Sequence, residues 1–187
     1  MIFKEGIMLS IRQATMADLP TVMNLINSAI KVLAERQIPQ WHDGKYPLTS
    51  DFENDINHGE GYVLVDEDLD SKIIGYAALS SCPDKVYEEG SEVNFNNHVE
   101  SNYMIVHRVV VDSSVKGKRI GLRFLEMLQA QANELEYHDL RIDTHPKNIA
   151  MRKTIMRAGY EEVGMIYLPE VADNDRVAYQ LLTRVRI

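Results

Sequence analysis

Apolar positions recur along the chain with two different periods, and the change from one to the other marks the elements. Residues 9–14 alternate as a short first strand. Leu19, Val22, Ile26, Ala29 and Leu33 then follow at steps of three and four, one apolar face of a helix. Thr15 with Asp18 three residues later resembles a capping box at its start. Residues 37–47 interrupt the period with two prolines and one glycine and carry Trp41, and a short helix is predicted over residues 49–57. Residues 62–65 and 73–79 read as two strands joined through the acidic turn 66–70. Residues 83–100 are polar and irregular, an insertion or loop.

Residues 103–111 form the most β-prone stretch of the chain. A loop over 112–117 leads to a helix whose predicted apolar face is Leu122, Leu125, Leu128, Ala132 and Leu135. A strand over 140–143, a short helix over 148–157 ended by Gly159, and strands over 161–166 and 176–182 complete the pattern. The strand–helix–strand step around residues 103–143 implies a parallel pair with a right-handed crossover, and the flanking hairpins imply antiparallel neighbours. The expected fold is α/β (α+β): a mixed, mostly antiparallel six- to seven-stranded sheet with a central splayed parallel pair and helices on both faces. One domain over residues 1–187 is expected, with 1–8 a loosely ordered extension.

The length of 187 residues suits one well-buried core. No apolar run approaches the ~18 residues that span a bilayer, and the first ten residues lack a signal-peptide core. One cysteine, Cys82, admits no internal disulfide, and no Cys/His cluster has zinc spacing. A cytoplasmic location, no membrane association and no metal are therefore expected. The net charge of −8 argues against general nucleic-acid binding, which depends on Lys and Arg neutralising phosphates, and favours cationic ligands.

The segment richest in chemistry runs from Val109 to Leu122: an apolar strand that passes through a short loop, with Gly117 and Gly121 and the cations Lys116, Lys118 and Arg119, into a helix N-terminus. Unpaired N–H groups and the positive dipole end make a helix start an anion site, and glycines let a bulky anion approach. The pattern reads as a pyrophosphate cradle, or else as a plain helix start with a solvated charged turn. It lacks the Gly-Lys-Ser/Thr ending of a nucleoside-triphosphate loop and the spacing of a dinucleotide fingerprint.

Lys116-Gly-Lys-Arg-Ile-Gly121 resembles the acetyl-CoA loop of the GNAT superfamily of N-acetyltransferases, Gln/Arg-x-x-Gly-x-Gly/Ala after an apolar strand. Arg119 stands where the middle glycine is usual. Residues 148–160, from Asn148 through Ala150 to Gly159 and Tyr160, resemble the same superfamily's Asn-x-x-Ala…Gly-Phe segment. The resemblance extends over residues 9–182. It implies an acetyl-CoA-dependent transferase that acylates a primary amine of a small molecule or peptide by direct attack. It also implies that backbone groups of Val109, Val110 and Val111 bind the pantetheine arm beside a splayed strand pair, with one N–H polarising the thioester carbonyl. Residues 116–122, ending at Leu122, would hold the phosphates, and Asn148 would lie near the pantetheine or simply cap its helix. Many relatives carry a tyrosine acid at the position of Ile155; Tyr160 or Tyr167 could replace it, though each suits packing.

His107 is the candidate general base, expected on the same face as Val109 two residues on and with a pKa near the unperturbed 6.5; a hydrogen-bonded core histidine is the plainer reading. Arg108 is expected to point away and pair with an acid. Trp41 is either an acceptor-site wall or core, and Asp143 and His145 either bind substrate at a strand's C-terminal end or form a turn. Exposed edge strands at the C-terminal end admit a homodimer. A non-catalytic acyl-CoA-binding module on the same fold is the alternative function, and an unrelated phosphate-binding domain is a third reading.

Overall fold

The structure is a computed structural model, and it describes residues 7–41, 44–81, 84–88, 92–95, 102–115, 119–168 and 174–183. Seven strands form one sheet in the order β1-β2-β3-β4-β5-β7-β6. They are β1 (Leu9–Gln13), β2 (Gly61–Asp66), β3 (Lys72–Ser80), β4 (Tyr103–Val111), β5 (Asp139–Thr144), β6 (Glu161–Tyr167) and β7 (Asp175–Leu182). The helices are α1 (Leu19–Glu35), α2 (Thr49–Asn57), α3 (Lys85–Glu88), α4 (Ile120–Glu134) and α5 (Ile149–Arg157). Every predicted strand and helix is present, and α2 and β4 have the predicted bounds. The predicted insertion contains α3 and a single bridge from Val93 to Gly164 on β6. The edge at the C-terminal end is β6, because β7 lies inside the sheet.

Alternation on the strands sorts side chains into two cores. On one face Leu64, Ile74, Met104, Val106, Leu140, Ile142 and Tyr179 meet α4 and α5. On the other, Val63, Val65 and Tyr76 meet Val22, Leu25 and Ile26 of α1 and Phe52 and Ile56 of α2. A third cluster on that second face joins Tyr103, Ile105 and Ala178 to Tyr87, with Val93 and Phe95 of the insertion packed on it. The buried face of α4 is Ile120, Phe124, Leu125, Leu128 and Ala132. The helix is thus turned from the predicted stripe: Leu122 is half-buried and Leu135 lies exposed beyond the last turn. Both stripes are apolar, and Phe124 supplies the larger side chain to the sheet.

The parallel pair is short. Tyr103 to Val106 of β4 pair with Asp139 to Ile142 of β5, and pairing stops there although both strands continue. A bulge next to the stop explains the divergence. Tyr76 of β3 faces Val110 while Ala78 faces His107, so β4 carries an extra residue. Arg108, inside it, has φ 54°, in the left-handed region. The extra residue reverses the alternation. Before the bulge Met104 and Val106 face α4; after it Val109 and Val111 do. His107 and Val109 therefore point to opposite faces of the sheet, not to one face as unbroken alternation requires.

Candidate active site

The splay opens onto a cavity of about 520 Å³ on the α1–α2 face. His107 and Arg108 line it from β4, Asp143 from β5, Arg176 from β7 and Tyr87 from α3. Gln40, Trp41, Lys45 and Tyr46 close it from the loop after α1, and Asp55, Glu60 and Asp84 add carboxylates. Trp41 lines the cavity and packs on the α1–α2 core.

Arg108 anchors the wall. Its guanidinium grips Asp55 of α2 at two points, Nε to Oδ2 at 2.8 Å and Nη2 to Oδ1, and Nη1 donates to the Tyr46 hydroxyl at 2.7 Å. The Tyr76 hydroxyl donates to the same carboxylate at 2.9 Å. The expected pairing of Arg108 with an acid is thus present, but the side chain opens on the same cavity as His107 because the bulge turns it there. His107 itself has its pKa pushed down to about 3 by burial and then by the Arg108 charge. Burial and the Arg108 charge thus both favour the neutral imidazole at this position over the unperturbed 6.5 expected from the sequence.

Asp143 lies within β5, not in the turn after it. Its Oδ2 accepts a 2.7 Å hydrogen bond from the Tyr87 hydroxyl, and Oδ1 lies 3.7 Å from Arg176 Nε. Burial raises its pKa above the usual carboxylate value, opposed by the Tyr87 bond and Arg176 and helped by Asp84. His145 is buried in the turn before α5, where its Nδ1 accepts from the Lys147 N–H at 3.1 Å; it does not line the cavity.

On the other face, α4 begins beside the splay. Arg119 is its N-cap residue, with φ 54° and no side-chain cap bond. The departure from the glycine pattern thus falls on a backbone conformation that glycine favours. Gly121, in the first turn, lies against α5: a Cβ there would meet Thr154 Cγ2 at 3.7 Å, an ordinary contact. Lys116, Gly117 and Lys118 lie outside the described residues, as does Cys82. Asn148 caps α5 through a 3.3 Å bond from Met151 N–H, and its amide donates to Gln40 Oε1 at 3.3 Å. Ile155 is fully buried. Tyr160 is core; Tyr167 is exposed and its hydroxyl donates to Glu92 at 2.6 Å.

Sequence reasoning missed Tyr46, Asp55, Tyr87 and Arg176, which come from four separate segments. The acids beside Tyr87 in the insertion offered one signal, since Asp84 and Glu88 flank an aromatic side chain that the sheet goes on to bury.

The comparisons with known proteins agree with this architecture. The model of the acetyltransferase (GNAT) family matches residues 26–160. The chain belongs to that family, whose chemistry is acyl-CoA-dependent N-acetyl transfer. A solved GNAT-family acetyltransferase from Streptococcus agalactiae is 27% identical, with TM-score 0.82 over 95% of this chain and 96% of that one. A ribosomal-protein-alanine N-acetyltransferase from Brucella melitensis superposes with TM-score 0.65 at 22% identity, covering 93% of this chain and 99% of that one. An aminoglycoside acetyltransferase in complex with coenzyme A and kanamycin superposes with TM-score 0.64 at 18% identity, covering 94% and 95%. A search of curated protein sequences returns no match. No helix among the described residues is long and apolar enough to cross a membrane.

Proposed function

We propose that the protein transfers the acetyl group of acetyl-CoA to a primary amine of a small molecule or peptide, by direct attack of the amine on the thioester. The observation that carries this reading is the β4–β5 splay, with the start of α4, where the Arg119 side chain makes no cap bond, on one face and a polar cavity on the other. Beyond Val106 the β5-facing edge of β4 has lost its partner strand. The backbone of Val109, Val110 and Val111 is then available to an extended pantetheine arm, which binds as an added strand would. An N–H there polarises the thioester carbonyl as an oxyanion-hole donor does. The phosphates fall to residues 116–122 at the start of α4, where Arg119 and the neighbouring lysines add charge. No enzyme nucleophile is needed, because the amine reaches the carbonyl through the gap.

The acceptor chamber is the cavity. Asp84 and Asp143 favour an ammonium group, and Trp41, Tyr46 and Tyr87 supply aromatic walls. His107 contacts the reacting groups as a neutral imidazole. His145 holds the turn before α5. With Ile155 in the core, the family's usual tyrosine acid has no counterpart at that position.

Two measurements test the reading. Thermal shift should show stabilisation by acetyl-CoA and CoA but not ATP, about 2.7 kcal/mol at a hundredfold excess over Kd. CoA release should then follow addition of spermidine, an alanine-terminated peptide or kanamycin. Stabilisation without release from any amine would favour the non-catalytic acyl-CoA-binding module, for which buried Ile155 is the supporting observation.

A further inference from the structure

His107 and Asp143 are the first residues past the last β4–β5 pair, Val106 opposite Ile142. They therefore stand on the two lips of the splay, and both side chains line the acceptor cavity. Of the two, the imidazole is the weaker proton acceptor: burial and the Arg108 charge both press its pKa down. The carboxylate has the opposite character. Tyr87 of α3 donates to Oδ2 at 2.7 Å. Arg176 of β7 stands 3.7 Å from Oδ1, beyond hydrogen-bonding distance. Asp84, just before α3, adds negative potential. From β4 come neutral His107 and Arg108, whose charge is engaged by Asp55. Tyr46 faces it from the loop before α2. One oxygen is thus fixed by Tyr87 and the other is paired at longer range with Arg176, while the residue lines the cavity with Asp84 as a second carboxylate.

We propose that Asp143 is the general base of the transfer, and that with Asp84 it selects acceptors that arrive as ammonium ions. The inference rests on the acetyl-transfer reading above. The balance is simple. The bound ammonium gives one proton to the Asp143 carboxylate, and the free amine lone pair forms the C–N bond. As the C–S bond breaks, the nitrogen loses its second proton, which ends on the departing thiolate as CoA–SH. The proton on Asp143 returns to solvent with product release. Tyr87 is a positioning residue: its hydrogen bond orients the carboxylate and stabilises the ionised form.

The test is the pH dependence of kcat/KM for the full chain, with acetyl-CoA as donor and spermidine, an alanine-terminated peptide and kanamycin as acceptors. Activity should fall on the acidic side as Asp143 takes up a proton, with the limb above the ordinary carboxylate range. Asp143→Asn should lower kcat/KM for the amine about a hundredfold or more at neutral pH and abolish that limb, with acetyl-CoA affinity unchanged. Tyr87→Phe removes a bond that favours the charged form, so the limb should move to higher pH; a structural role alone would not move it. Transfer that proceeds with the limb unmoved in both variants overturns the proposal while leaving the transferase reading intact. A wild-type protein that binds acetyl-CoA but releases no CoA with any of the three amines overturns both.

Discussion

Arg108 and Asp55 form a two-point ion pair that ties the bulge of β4 to α2, and Arg108 forms it from a left-handed backbone conformation. Both side chains are nearly buried, 11% and 5% exposed. The pair therefore links the strand that flanks the splay to the elements that roof the cavity. Removing one partner of such a pair strands the other in the interior, which typically costs about 3–5 kcal/mol. Asp55→Ala should lose stability on that scale in urea unfolding. Arg108→Ala and Arg108→Gly both delete the guanidinium and differ only at the backbone. If the bulge persists, the glycine variant should be the more stable by about 1 kcal/mol, the usual cost of a left-handed L-residue. Equal stability of the two would mean that the bulge relaxes once the clamp is gone.

The periodic parts of this fold were legible. Steps of three and four located α1, and β-branched runs located β4, because both elements bury a continuous face. The cavity between the strands and the α1–α2 layer was not, for two physical reasons. The bulge at Arg108 has no glycine or proline to mark it, and its conformation is held by Asp55, 53 residues away. Without the bulge, His107 is assigned to the wrong face and Arg108 to the wrong side. The second reason is convergence. Tyr46, Asp55, Tyr87 and Asp143 meet only in three dimensions, each from a segment that reads locally as polar loop, helix or strand end. The reading of residues 109–122 as a pyrophosphate cradle drew on one strand–loop–helix step alone, and Lys116, Gly117 and Lys118 lie outside the described residues.

Arg119 gives a prediction with two readouts. Its φ of 54° at the start of α4 suits glycine, and its side chain makes no cap bond. Arg119→Gly should raise stability by up to about 1 kcal/mol by relieving that conformation. One exposed cation–phosphate contact is worth roughly 1 kcal/mol or less, so acetyl-CoA affinity should fall by no more than several-fold. Calorimetric titration of both proteins measures the second effect; a hundredfold loss would assign the guanidinium a specific contact.

Asp18 links stability to pH. Its carboxylate accepts two bonds from Arg12, at 2.8 and 2.9 Å, and one from the Thr15 N–H at 2.8 Å, closing β1 onto the start of α1. The Arg12 bonds, and then the Thr15 bonds, hold its pKa well below the carboxylate range against the effect of burial. A depressed folded-state pKa contributes stability that is present above the unfolded value of about 3.9 and is lost as pH falls toward the folded one. Asp18→Asn should therefore lower Tm at pH 7, and its deficit relative to wild type should shrink on acidification below pH ~4. A deficit constant from pH 7 to pH 2 would show that the charge is irrelevant to the cap.

Gly164 is where the insertion that carries Asp84 and Tyr87 is fastened to the sheet. It has φ 138°, sits at a bulge between β6 and β7, and bridges to Val93. A Cβ built on it would lie 2.1 Å from the Glu92 carbonyl oxygen and 3.0 Å from the Val93 Cα, both backbone atoms that cannot turn aside. The neighbouring contacts, Met165 N–H to the Glu92 carbonyl at 3.3 Å and Asn94 N–H to the Val163 carbonyl at 2.9 Å, depend on the same close approach. Gly164→Ala should thus push residues 92–95 off β6 and loosen the stacking of Phe95 on Tyr87 and on the Arg141 guanidinium. The core on the α4 face does not involve this contact, so cooperative unfolding should persist. The expected signature is faster proteolytic cleavage within residues 84–101 together with a lower kcat/KM for the amine and an unchanged affinity for acetyl-CoA. The separation follows from geometry, since the insertion walls the acceptor chamber on one face of the sheet while the donor's phosphates are assigned to the start of α4 on the other. Equal loss of donor binding would show that the two faces are not independent across the splay.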